Sequence, residues 1–216
     1  LGGQVPVLEL QPDFSRPATL SSGGGWIPVV FDGAQQLQGV CQSCSATEMH
    51  GGLALWAVLL GQHSGQCEVV VGVPYANRAR AELHQVVGYF VNTLAVLVRL
   101  EEQDAFVDAV HSASKAMTAV LEYGEVPFVK VVEAIFAGKA RDTSRSPLYQ
   151  TMLAWEQAGG WGDDDSGLFG METMAALEQE EEEMTSVKFE VELYLSPVGD
   201  QLQGGVGYSL QLFEES

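Results

Sequence analysis

The chain has 216 residues, 46% of them hydrophobic, enough to bury a sizeable core as one large domain or two small ones. Its formal charge of −19 is unevenly spread, because residues 156–192 hold twelve acids against one lysine. No basic stripe suits a nucleic acid, no apolar run reaches the ~18 residues of a membrane span, and three cysteines, an odd number, argue against a disulfide framework.

The sequence opens on Leu1 with no signal peptide and reads as a fragment of a longer cytoplasmic protein. Residues 1–25 are rich in turn formers, with Pro6, Pro12, Pro17 and Gly23-Gly24-Gly25, and read as an extended connector entering a lobe that fills residues 26–216. Trp26–Phe31 suits a short strand and Ala34–Gln42 a polar helix. Cys41 and Cys44 form a lone Cys-x-x-Cys with no second pair to complete a zinc site, so they read as ordinary reduced thiols and no metal is expected. Thr47–Leu60 reads as a buried helix with Met49, Leu53, Trp56, Leu59 and Leu60 on one face, ended by Gly61 and Gly65.

Glu68–Val73 is a β-branched run closed by Pro74, which fits a strand buried on both faces. Phe90–Leu100 is a longer β-rich stretch. Asp104 suits the N-cap of a helix over Ala105–Leu121, whose apolar stripe is Phe106, Val110, Ala113, Met117, Val120 and Leu121. A short helix over Phe128–Phe136 and a strand over Tyr149–Trp155 follow. An acidic insert covers about 157–185; within it Met171–Glu183 has helical character, although Glu180–Glu183 repel one another. Lys188–Leu195 alternates, with Phe189, Val191, Leu193 and Leu195 expected inward and Lys188, Glu190, Glu192 and Tyr194 outward. Leu202–Leu212 is its partner across a turn at Pro197–Asp200. The pattern suits an α/β sandwich with a mixed sheet.

Short motifs add to this pattern. Pro6–Asp13 reads as a linker. His63-Ser64-Gly65-Gln66 precedes Val69–Pro74, and Arg78 and Arg80–Leu83 form a loop after it. Val87-Gly88-Tyr89-Phe90-Val91-Asn92-Thr93-Leu94, then Glu125-Val126-Pro127-Phe128, then Arg141-Asp142-Thr143-Ser144-Arg145-Ser146-Pro147-Leu148-Tyr149, and finally Lys188-Phe189-Glu190 come in fixed order. In order and spacing they resemble the C-terminal lobe of condensation domains from nonribosomal peptide synthetases.

That resemblance implies a chloramphenicol acetyltransferase-like fold: a two-layer α/β sandwich lobe, its mixed sheet flanked by helices. It implies a partner N-terminal lobe and a tunnel between the two. Carrier domains deliver substrates there as phosphopantetheine thioesters, so no cofactor is bound directly; an adjacent adenylation domain is a further implied partner, and no nucleic acid or membrane. The reaction implied is amide-bond formation between carrier-bound aminoacyl or peptidyl groups. This lobe would supply a tunnel wall, the floor below the site and part of a carrier-docking surface. Tyr75, Arg78, His84, Gly88 and Asn92 are the tunnel or floor candidates. Pro127, Phe128, Arg141, Asp142, Ser144, Arg145 and Pro147 belong to structural motifs.

The family's His-His-x-x-x-Asp-Gly motif does not occur in these residues: His50, His63, His84 and His111 are all isolated, so no catalytic residue is assigned. No Gly-x-Ser-x-Gly elbow appears either. Asn92 has two readings, a side chain bonding backbone at a strand start or a polar group lining the tunnel. Gly88 suggests close backbone approach or a positive φ, and Arg145 an anchor for the following strand. Two rivals stand beside the condensation reading: a noncatalytic lobe that docks carriers or scaffolds neighbours, and a related acyltransferase using coenzyme A or forming esters.

Overall fold

The computed structural model describes residues 5–138, 141–156 and 185–214. Its strands are β1 (Gly23–Asp32), β2 (Glu68–Tyr75), β3 (Asn92–Arg99), β4 (Thr151–Trp155), β5 (Thr185–Ser186), β6 (Val191–Val198) and β7 (Gln201–Ser209). Its helices are α1 (Ala34–Ser43), α2 (Glu48–Ser64), α3 (Phe106–Leu121) and α4 (Phe128–Ile135). The strands form one sheet in the order β3-β2-β4-β6-β7-β1-β5. β2, β4 and β6 run parallel, and the remaining pairs are antiparallel. This is the mixed sheet flanked by helices that the sequence pattern calls for.

Alternation along the strands decides what each face carries. Val69, Val71 and Val73 of β2, with Leu94, Val96 and Val98 of β3, face the main core beneath α1, α2 and α3. Val70, Ala95 and Leu97 face the other way, into a second cluster with Val132 of α4, Leu148, Tyr149 and Phe189. Central strands are thus apolar on both sides, as parallel strands between helical layers require. The α3 stripe packs as expected through Val110, Ala113 and Met117, but Leu121 is exposed. On α2, Leu53, Trp56 and Leu60 are buried while Leu59 faces solvent.

Local details depart from the sequence reading for identifiable reasons. Gly23–Gly25 belong to β1 rather than to the connector. A Cβ on Gly24 would lie 2.0 Å from Val187, and one on Gly25 would lie 2.4 Å from the Tyr208 ring, so these glycines are strand positions overlain by side chains. Gly61 lies inside α2, whose end is Gly65 in the left-handed region at φ +67. Asp104 does not cap α3. Its carboxylate accepts from the Glu101 N–H, and the cap residue is Ala105, whose N–H donates to Asp108 inside the helix at 3.0 Å. α1 starts at Gly33 without a side-chain cap of its own. Asp200, in the β6–β7 hairpin, accepts from Gly33, Ala34 and Gln35 N–H groups and closes that helix end.

The largest correction concerns β6. Glu190 and Glu192 were expected outward and are both buried. The ladder begins at Val191, two residues after Phe189, which turns into the second cluster against Tyr149. Glu190, with no exposed surface, receives both guanidinium nitrogens of Arg16 at 2.8 and 2.9 Å. Glu192 accepts from the Lys188 and Phe189 N–H groups and from the Tyr194 hydroxyl at 2.8 Å. Burial, and that carboxylate beside it, push the Tyr194 phenol well above its usual range. The acidic insert about 157–185, with its helical stretch Met171–Glu183, falls outside the described residues apart from Thr185.

Arg16 belongs to the N-terminal segment read as a connector, which is bonded to the rest of the fold at several points. Leu8 is buried and its N–H donates to the Gln150 side chain at 2.8 Å. Gln66 holds Val7 and Glu9, and Leu20 bonds the Thr143 carbonyl. Arg145 is largely buried and donates to the Leu8 carbonyl at 3.1 Å and the Glu9 carboxylate at 2.7 Å. It anchors the incoming connector, not the following strand.

Arg16→Ala leaves Glu190 as an uncompensated buried charge and is expected to cost about 3–5 kcal/mol. Arg145→Ala removes bonds to a carbonyl and a half-exposed carboxylate, for about 1–3 kcal/mol. Urea denaturation of both variants checks this order; an Arg16→Ala variant as stable as the parent contradicts it.

Candidate functional site

The antiparallel ladder of β2 and β3 ends with Tyr75 opposite Asn92, and this end of the sheet gathers the candidate tunnel residues. The segment between the two strands, residues 76–91, leaves β2 through Asn77, in the left-handed region at φ 53. Arg78 organises it. One guanidinium nitrogen donates to the carbonyls of Leu83 and Val86, the second of these at 2.8 Å. The other donates to the Gly88 carbonyl at 3.1 Å, and the guanidinium lies 4.4 Å from the centre of the Phe90 ring. A planar fork with several donors over an aromatic face is a role lysine fills poorly. His84 closes the loop through Nε2, 3.0 Å from the Arg78 carbonyl. Gly88 does not have a positive φ, correcting that option; a Cβ there would come within 3.2 Å of the Phe90 ring.

Asn92 fastens this loop to the α3–α4 connection. Its amide nitrogen donates to the carbonyls of Gly124 and Val126, each at 2.8 Å, and its carbonyl accepts from the Phe128 N–H at 3.1 Å. Every bond therefore goes to backbone. Pro127 occupies the N-cap position of α4, which leads Phe128 into the second cluster. Tyr149 sits there between Phe128 and Phe189, with ring centroids 5.2 and 4.9 Å away, and covers Gly72. Burial pushes the Tyr149 phenol up to about 12, the Thr93 side-chain bond acting against this and Glu192 with it.

The Arg141–Pro147 motif lies apart from the loop, beside the connector. Asp142 accepts from both the N–H and the hydroxyl of Ser144, at 2.8 and 2.6 Å, which pulls its carboxyl below the usual range. Arg141 is exposed, and Pro147 leads into Leu148, a non-glycine residue at φ 70 that turns Tyr149 inward. Pattern reading missed Arg16, Gln150, Glu190 and Glu192. The signal available for them was a pair of acids in a strand otherwise apolar on its neighbours.

Anchored below, the loop is apolar above. Val87 is 99% exposed and Tyr89 92% exposed, flanked by the exposed Val86, Val91, Tyr123 and Val126. Single exposed apolar residues need no explanation, but a run rigidly presented at one sheet end marks an interaction surface. The histidines offer little chemistry beside it. His50 completes the N-terminal box of α2 with Thr47, and its partial burial lowers its pKa. Among the described residues no group of three potential ligands gathers for a metal ion.

Comparison with known proteins places this geometry in a family. The condensation-domain family model matches residues 1–216. The chain belongs to the condensation-domain family. Enniatin synthase of Fusarium equiseti is 33% identical over 208 residues, which is 95% of this chain but 6% of that protein. Cyclosporin synthetase of Tolypocladium inflatum is likewise 33% identical over 211 residues, 95% of this chain and 1% of its own length. The chain therefore spans a small part of such relatives. Among solved structures, the X-domain from teicoplanin biosynthesis superposes with a TM-score of 0.80 at 21% identity over 99% of this chain and 48% of that one, a likeness of fold.

Two outcomes follow from the site geometry. Asn92→Asp keeps the acceptor but sets a carboxylate against the Gly124 and Val126 carbonyls, so it is expected to destabilise at least as much as Asn92→Ala, by about 1–3 kcal/mol in chemical denaturation. Tyr149 is favoured in its neutral form by the fold, since its pKa rises from 10.0 to about 12. Its contribution to stability is complete below pH 10 and is lost as pH climbs toward 12. Melting temperatures of Tyr149→Phe should therefore fall less steeply over that window than those of the parent, and equal slopes would contradict the assignment.

Proposed function

We propose that this chain is the C-terminal half of a condensation domain that joins acyl groups carried as phosphopantetheine thioesters on carrier domains. The observation that carries the reading is the anchored apolar loop: Val86, Val87, Tyr89 and Val91 form a surface suited to cover by a second, N-terminal lobe. The tunnel would run between the two lobes. On this side its wall would draw on Tyr75, Arg78, His84, Gly88 and Asn92, and these residues act by position. Arg78 and Asn92 hold the loop and the α3–α4 connection in fixed relation, and a fixed wall limits where a thioester and an incoming nucleophile meet. Proton transfer would fall to the histidine motif of an N-terminal lobe. Phosphopantetheine arrives on its carrier, so this half needs no bound cofactor of its own, and an adjacent adenylation domain fits the same assembly.

The test is complementation. The 216-residue chain alone is expected to form no product from two loaded carrier domains. Fusion behind an N-terminal lobe bearing His-His-x-x-x-Asp-Gly should give product, read by mass spectrometry of the carrier-bound species, whose mass also separates amide from ester. General-base help and positioning together are worth more than ~10⁴ in rate, so the contrast should be large. Turnover by the chain alone overturns the half-domain reading. Folded fusions that stay inactive favour a noncatalytic docking lobe instead.

A further inference from the structure

Beyond any role in the proposed reaction, we infer that Trp26 and Tyr194 form a binding corner for an alkylammonium cation on the outer face of the sheet. Alternation places both rings there. Val29, Leu193, Leu195 and Val206 belong to the main core beneath the helices. Trp26, Tyr194 and Gly205 hold the alternate positions of the same strands and point the other way. On that face α4 packs against β2 and β3, and among the described residues no helix covers β6, β7 or β1 there. Both rings are half-buried.

The local sequence builds the corner. Gly205 lies between Tyr194 on β6 and Pro28 on β1. A Cβ on Gly205 would overlap the Trp26 ring. Its absence lets the indole lie down across β7 and meet Tyr194, with ring centroids 5.3 Å apart and planes at 51°. One cation can then sit within ~6 Å of both centroids, which is the reach of a cation–π contact, and tryptophan offers the strongest face for it.

Charge selects a cation. β4, β6, β7 and β1 contain no lysine or arginine, and their charged residues are Glu192 and Asp32. Glu192 is buried beside Tyr194. One carboxylate oxygen accepts from the Tyr194 hydroxyl at 2.8 Å, and the other takes the Lys188 and Phe189 N–H groups. Glu190 has Arg16, whereas Glu192 has no ion-pair partner among the described residues. Hydrogen bonds alone hold its charge, so a negative field remains at the corner. A phenol that donates to a carboxylate gains electron density, which strengthens the pull of its ring on a cation. An alkylammonium group supplies both the charge and an apolar surface for the ring faces. A metal ion is a poorer fit, because no group of three potential ligands gathers among the described residues.

Choline, titrated into the isotope-labelled 216-residue chain and followed by NMR, tests this. Its neutral carbon analogue, with a tert-butyl group in place of trimethylammonium, is the control. Saturable millimolar binding is expected, with shifts at the Trp26 indole N–H and at the backbone amides of Trp26, Tyr194 and Gly205. The neutral analogue should bind about two- to five-fold more weakly, the share of a cation–π contact at a partly exposed site. Trp26→Leu and Glu192→Gln should each weaken choline by a similar factor. Glutamine keeps the shape of Glu192 and can still accept from the two backbone N–H groups. If Trp26→Leu fails to fold, Trp26→Phe replaces it, since phenylalanine fills the site but offers a weaker face. Shifts that do not saturate, equal affinity for the neutral analogue, or choline affinity unchanged in either variant would overturn the proposal.

Discussion

A carboxylate with no exposed surface cannot stay charged in a protein interior unless a cation meets it with good geometry. Glu190 meets that condition through both guanidinium nitrogens of Arg16. The pair joins opposite ends of the sequence and fixes the connector against the rim of the sheet. Leu8 then reaches Gln150, Glu9 reaches Arg145, and Thr143 holds Ala18. The turn from Arg141 to Tyr149 is thereby set between connector and sheet. Tyr149 plugs the second cluster, over Gly72 and between Phe128 and Phe189, and its position determines how α4 sits on the outer face.

From α4 the constraint passes to the end of the sheet that gathers the candidate residues. Phe128 begins that helix, and its N–H is held by Asn92 at the start of β3. Asn92 also holds the two carbonyls before it, and Tyr75 lies directly across the ladder. The loop from Asn77 to Val91 is thus fixed at both ends and tied internally by Arg78. Its apolar residues Val86, Val87, Tyr89 and Val91 are presented outward from this anchored base, as an exposed apolar surface. The chain matches only a small part of relatives such as enniatin synthase and cyclosporin synthetase.

Much of this was legible in the sequence. Unbroken β-branched residues in Glu68–Val73 and the 3.6-residue stripe of α3 identify a strand buried on both faces and a helix on top of it. Motif order identified the family because the motifs are the joints themselves: Asn92, Phe128, Arg145 and Tyr149 make the long-range contacts. What the pattern could not supply was partnership across the chain. Glu190 and Glu192 read as solvent-facing because alternation assumes that an acid has no buried counterpart, and Arg16 lies in a segment that reads as linker. Gly23–Gly25 read as a turn because nothing local announces that Val187 and Tyr208 cover them. Asp104 suited the cap by composition, but the cap position falls on Ala105, whose N–H is held by Asp108 inside the helix. The tunnel candidates were placed by resemblance, since the side chains of Arg78, His84 and Asn92 bond backbone and none of the five carries a chemical signature of its own.

Hydroxyl-radical footprinting of Val87 and Tyr89 tests the central claim most directly. The chain alone is compared with the same chain fused behind an N-terminal condensation lobe. Both side chains are almost fully exposed in the lobe by itself. The account predicts fast oxidation of both in the isolated chain and strong protection in the fusion, with the exposed Phe31 on β1, toward the other edge of the sheet, unchanged. Equal oxidation of Val87 and Tyr89 in the two proteins would show that this surface does not meet the second lobe.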